Sequence, residues 1–241
     1  MSGPQRFKQD NQAAFLLHSY PFRETSLVVE LFAQNFGRLA VVARGARRPR
    51  SALRGVLQAF QPLNLAWSGK SELRTLQRAE WRERLPLLQG MGLLCGFYLN
   101  ELLIKLLPRD DPHELLYLHY QEALQQLARQ TRHANILRRF EIRLLRELGY
   151  ALPLGHDAQN GKPVQPHLRY AYVIERGPVA AGAQTDPTSF LGKTLLDMAE
   201  DDYSDPVTQQ ESKTLMRIIL NHYLNNQTLH TRQLLKDLQQ L

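Results

Sequence analysis

The segment VARGARRPRSALRG, residues 42–55, constrains this chain more than any other, because it carries Arg44, Arg47, Arg48, Arg50 and Arg54 with no acidic residue among them. Five guanidinium groups do not enter a core without partners, and the proline and small residues between them break any regular period. The stretch therefore reads as a surface loop. Charged loops ordinarily intersperse Glu or Asp to balance the field, and this one does not, so it points to a polyanion. Arginine suits phosphate: its planar fork binds two oxygens, keeps its charge when partly desolvated, and can stack on a base.

The charge distribution agrees. Residues 1–80 hold 12 Lys+Arg against 5 Asp+Glu and residues 81–241 hold 18 against 18, so the formal net charge of +7 lies entirely in the first third. A basic N-terminal module joined to a neutral body is the natural reading, and 241 residues are enough for two domains. The lone Cys95 leaves no internal disulfide or Cys-based zinc site and reads as a small buried hydrophobe. The first residues lack a signal-peptide core. The most apolar stretch, 85–107, is interrupted by Gln89, Asn100, Glu101 and Lys105, short of the about 20 apolar residues of a membrane span. A cytoplasmic protein with no membrane association is expected.

Through residue 80 the period is that of strands: AAFLLHSYPF, TSLVVELFA, RLAVVARGA, LQAFQPLNLAW (57–67) and ELRTLQRAE (72–80), separated by turn residues. Five short strands suit a small barrel, with the arginine segment as the loop between the third and fourth. Beyond residue 85 the period moves toward 3.6. Helices are expected over 93–107, from an Asp111 cap with Pro112 and Glu114 to about 129, over 134–149, from Asp205-Pro206 onward, and from a Thr231 cap. Between about 152 and 185 an irregular insertion holds a hairpin, RYAYVIERGPVAAG. The fold class is α+β: a barrel domain, 1–82, followed by a helical domain, 83–241, with that insertion.

Barrels of this size bind single strands along a basic groove, with bases stacked on aromatic rings. Arg23, Arg38, Arg74 and Arg78 extend the charged track, Arg74 and Arg78 by sharing one strand parity. Tyr20, Phe22, Phe36, Phe60 and Trp67 are candidate stackers, each also a natural core residue. Two apparent phosphate loops, SGKS (68–71) and LGKT (191–194), lack the required earlier glycine, having Asn64 and Pro187 there. GMGLLCG (90–96) fails the dinucleotide spacing and reads as close helix packing. His156, Asp157 and His167 fall at no metal-ligand spacing, and the acidic groups at 110–111 and 200–202 flank helix boundaries, where capping accounts for them. No catalytic residue, metal site or cofactor is expected. The expected helix at 134–149 carries Arg138, Arg139, Arg143 and Arg146 beside Leu137, Phe140, Leu144 and Leu145. That pattern fits an ordinary amphipathic helix or a groove for an apolar, acidic peptide tail. On residues alone, DNA binding, an RNA-binding barrel and a metal-dependent nuclease all stay open.

The chain resembles the RecO recombination-mediator family of bacterial DNA repair proteins. The likeness rests on HSYPFRETS, GRLAVVARGAR and the QP stretch at 61–62, and continues through FYLNELLIKLL, LRRFEIRLLRELGY and TRQLL. It implies an N-terminal OB-fold and a helical domain. It further implies a non-enzymatic protein that binds single- and double-stranded DNA, anneals complementary strands, docks on the C-terminal tail of single-stranded-DNA-binding protein and works with RecR to load RecA at the nucleoid. Arg138, and after it Arg139, with Leu137 and Phe140, are the implied tail contacts. Many members carry a four-cysteine zinc element in the segment matching 152–185; this chain lacks those cysteines.

Overall fold

The computed structural model describes residues 8–69, 71–129, 132–181 and 189–239. Five strands, β1 (Lys8–Phe22), β2 (Ser26–Ala33), β3 (Gly37–Ala43), β4 (Pro62–Ser68) and β5 (Leu73–Trp81), close into a barrel in the order β1-β2-β3-β5-β4. β3 pairs with β5 in parallel, and the other pairs are antiparallel. This is the OB-fold order. Alternation sends Ala14, Leu16, Val29, Leu31, Leu39, Val41, Leu63, Leu65 and Trp67 inward, where they form one buried cluster. The turn after β3 leads into a single helical turn, α1 (Leu53–Val56), whose Leu53 and Val56 also pack on that cluster.

The outer faces of β1 and β2 are buried as well where they carry Phe15 and Phe32. Phe15 and Phe32 lie 5.1–6.2 Å, centroid to centroid, from Tyr117 and Tyr120 of α3 (Glu114–Arg129). A bulge in β1 between Leu16 and His18 takes Leu17 out of the ladder. Its carbonyl instead accepts a 2.8 Å bond from Nδ2 of Asn100, on α2 (Gly90–Leu106), and Asn100 Oδ1 in turn accepts the Tyr120 hydroxyl at 2.5 Å. Gly96 lets α2 approach the barrel: a Cβ there would stand 2.6 Å from Leu88 and 3.0 Å from Phe60.

Contacts divide the chain into two compact units, the residues before 132 together with those from 229 on, and 132–228. The second unit holds α4 (His133–Glu147), a three-stranded sheet of β6 (Arg169–Val173), β7 (Gly177–Ala180) and β8 (Ser189–Leu191), then α5 (Gly192–Ala199) and α6 (Pro206–Tyr223). The expected hairpin is β6–β7. β8 and α5 have too few residues to show a period and are additions to the sequence reading. Residues 182–185 of the insertion, and Lys70 and Pro187 of the two discarded phosphate loops, lie outside the described residues. Asp205 caps α6 as expected, its Oδ1 accepting from Val207 N at 2.7 Å ahead of Pro206 at the first position. Gly149, at φ +83°, closes α4.

Two caps differ from the sequence reading. Asp111 does not begin α3: Asp110 N donates to Arg38 O at 2.9 Å, holding 109–111 against the barrel, and the first helical bond runs from Tyr117 N to His113 O. The last helix, α7 (His230–Gln239), takes its cap from α2 rather than from Thr231. Glu101 accepts from His230 N at 2.8 Å and from Thr231 N and Oγ1 at 3.0 and 2.7 Å, bonds that outweigh burial and hold its carboxyl below the usual range. Among the described residues no helix is long and apolar enough to cross a membrane.

Gly37, at φ +66°, starts β3 where a Cβ would lie 1.9 Å from the backbone oxygen of Asp111. An unstrained Gly→Ala change stabilises by up to about 1 kcal/mol; Gly37→Ala is expected instead to destabilise the protein by more than that amount, read from the urea-unfolding midpoint.

Candidate nucleic-acid interface

The arginine segment is a run of turns rather than a slack loop. Arg48 N bonds Gly45 O, Ser51 N bonds Arg48 O, Arg54 N bonds Ser51 O and Leu57 N bonds Leu53 O, at 2.9–3.2 Å. Ala46, 1% exposed, pins its start to the barrel cluster, and the Trp81 indole donates to Val56 O at 2.9 Å at its end. With Ala46 buried and the turns bonded along the backbone, Arg44, Arg47, Arg48, Arg50 and Arg54 are all exposed. None of the five forms an ion pair among the described residues, so their charges add into one positive field.

The segment leans on the β1–β2 turn. Arg47 N donates to Thr25 O at 2.8 Å, and its Nη1 reaches the carbonyls of Arg23 and Glu24 at 3.4 and 3.3 Å. Arg23 is exposed, holds φ +52° in the left-handed region, and sets its guanidinium 5.3 Å from the Phe22 ring centroid. Arginine there costs about 1 kcal/mol more than glycine or asparagine, the sort of local strain that gathers at functional sites. Tyr20, 45% exposed, completes this end of β1, edge-on to His18. Sequence spacing did not anticipate the approach of Arg23 and Arg47, because it depends on the register in which β2 pairs with β3.

The other candidates fall apart from this group. Arg38 donates to Leu107 O at 2.9 Å and lies 3.5 Å from Glu30, which also pairs with Arg109. Burial and Arg109 draw the Arg38 guanidinium below its ordinary value, Glu30 opposing them. Arg74 pairs with Asp110 at 2.6 Å. Arg78 is exposed and bonds Asn11 Oδ1 at 2.9 Å. The expected shared parity of Arg74 and Arg78 does not hold. A bulge sets Arg78 opposite Ala66 and Leu76 opposite Trp67, reversing the alternation between them. Of the aromatic candidates, Trp67 and Phe60 are buried and Phe36 packs edge-to-face on Trp67 at 5.3 Å, leaving Tyr20 and Phe22 beside the arginines.

On α4, Arg138 is 8% exposed and bonds Glu141, itself fully buried, at 2.6 Å. Arg139 pairs with Asp201 at 2.5 Å, Phe140 is buried, and Leu137 is half-buried. A 200 Å³ pocket that the sequence did not show lies one to two turns further along, lined by Ile142, Leu152, Leu154, Met198 and the exposed Arg146. Asp157 is buried and accepts from Gln159 N at 2.8 Å, Asn160 Nδ2 at 3.1 Å and Ala180 N at 3.3 Å, while His156 and His167 are exposed. Among the described residues no three His, Cys, Asp or Glu gather as a metal site.

Residues 8–84 match the family model described as "Recombination protein O N terminal", and residues 89–233 the one described as "Recombination protein O C terminal". The chain is 59% identical over 236 residues to the DNA repair protein RecO of Nitrosospira multiformis, covering 97% of this chain and 98% of that one. It is 54% identical over 242 residues to the protein of that name from Aromatoleum aromaticum, covering all of both, and 52% identical to that of an Azoarcus species, covering 96% and 97%.

The Arg138–Glu141 pair carries a stability consequence. Glu141→Ala leaves a buried guanidinium without its carboxylate and is expected to cost about 3–5 kcal/mol, seen as a lowered melting temperature. Arg139→Ala, which opens a partly solvated pair, is expected to cost about 1 kcal/mol or less.

Proposed function

The chain belongs to the recombination protein O family of DNA repair proteins, and from that premise we propose that it is a non-enzymatic mediator that binds single- and double-stranded DNA and anneals complementary strands. The observation that supports this most is the set of five exposed, unpaired arginines on a folded run of turns beside Arg23, Phe22 and Tyr20. Each guanidinium neutralises a phosphate, and a positive ridge between two strands lowers the repulsion that keeps them apart. No base edge need be read, so the activity is independent of sequence.

In this proposal residues 1–82 take the DNA and residues 83–241 take protein partners. The C-terminal tail of single-stranded-DNA-binding protein docks along α4, an apolar side chain entering the pocket between Ile142 and Met198 and a carboxylate meeting Arg146, with Arg138 and Arg139, each held by its own carboxylate, one to two turns away. Held on coated DNA, the protein works with RecR to load RecA. It acts in the cytoplasm at the nucleoid and needs no cofactor.

Two measurements test these assignments. DNA affinity with about six phosphate contacts should fall about 10³-fold or more from 50 to 200 mM salt, and changing Arg44, Arg47, Arg48, Arg50 and Arg54 together to alanine should flatten that slope and abolish annealing of bare strands. Wild-type annealing by that variant would remove the loop from the DNA path, and stronger competition by RNA of matched length would favour RNA as the ligand. A protein carrying Arg139→Ala and Arg146→Ala should anneal bare strands normally and fail on strands coated with single-stranded-DNA-binding protein. Normal annealing of coated strands would refute docking on α4.

A further inference from the structure

The stretch WRER at 81–84 runs out of the last residue of β5 and contributes two arginines, Arg82 and Arg84, beyond the basic loop. Trp81 is half-buried against the barrel cluster, and its indole N–H is fixed to Val56 O, two residues past Arg54. Arg84 is exposed, and its guanidinium carbon stands 3.8 Å from the Trp81 ring centroid, the separation of two planes in contact. No carboxylate pairs with Arg84 among the described residues. A free arginine side chain samples many rotamers; this one is held over a ring that is itself held by a backbone carbonyl.

We infer that the Trp81–Arg84 stack is a nucleobase platform for single-stranded nucleic acid, on which an unpaired base lies against the outer face of the guanidinium. The inference rests on the nucleic-acid reading of residues 44–54, beside whose end, at Val56, the indole is bonded. A guanidinium sandwiched between two π-faces keeps its edge N–H groups free for a neighbouring phosphate, so one side chain serves base and backbone together. In a duplex the bases are already stacked on one another and offer no free face. The platform therefore discriminates: it strengthens binding to single strands and leaves duplex binding to the arginine loop.

The test uses the full chain with Arg84→Lys, which keeps the charge but removes the plane, at an exposed position where folding is not at risk. Fluorescence anisotropy at fixed salt would be recorded with a labelled single-stranded oligonucleotide and with a duplex of equal length. The expected result is a loss of about five- to tenfold on the single strand and less than twofold on the duplex. Unchanged single-strand affinity, or an equal loss on both ligands, overturns the platform. The variant with the five loop arginines changed to alanine separates the two ideas. Wild-type affinity of that variant overturns the loop reading, whereas weak binding by it together with unchanged binding by Arg84→Lys overturns only the platform.

Discussion

The middle of β1, Ala13–Leu17, and most of β2 are buried on both faces, and the rest of the first unit is arranged around that demand. Their inward residues, Leu16, Val29 and Leu31, fill the barrel, while Phe15 and Phe32 on the other side need a second hydrophobic partner, supplied by Tyr117 and Tyr120. A small barrel alone would expose those two phenyl rings to water, at a cost of a few kcal/mol each. The helices after the barrel therefore complete its core. Asn100 makes the join specific, since its amide satisfies both the carbonyl freed by the β1 bulge and the Tyr120 hydroxyl, two polar groups that would otherwise be buried without partners.

Helical cover on this side leaves the exposed chemistry at the end of the barrel where the β1–β2 turn meets the segment after β3. Ion pairs draw a second boundary around the site. Arg38, Arg74 and Arg109 are engaged by Glu30 and Asp110 and tie the barrel to the segment that precedes α3. The arginines of 44–54 have no such engagement. The chain thus uses one residue type in two ways, and the difference lies in whether a carboxylate stands within reach.

The strands, the barrel, the long helices and the Asp205-Pro206 cap were legible because each shows in local periodicity or turn chemistry. The basic loop was legible because five uncompensated arginines have few structural uses. What escaped was non-local. The Glu101 cap on α7 comes from a residue about 130 positions away, and Arg47 reaches the Arg23 carbonyl only through the register of β2 against β3. The β5 bulge, invisible in the alternation of LRTLQRAEW, moved Arg78 off the face of Arg74. At α4 the run of arginines fits an amphipathic helix or a peptide groove, and burial sorts it into an internal pair, a surface pair and a pocket rim.

The cap that Glu101 places on α7 also bears on the order in which the molecule assembles. Bonds between residues 101 and 230–231 close a loop that contains the whole of the second unit, so the first unit is discontinuous in sequence. On a growing chain the barrel and its first helices can pack early, but α2 keeps an uncapped docking surface until some 130 further residues have been made. The entropy of closing so long a loop rises only slowly with its length, so the delay falls on the rate far more than on the final stability. Attachment of α7 then serves as a late clasp on the first unit.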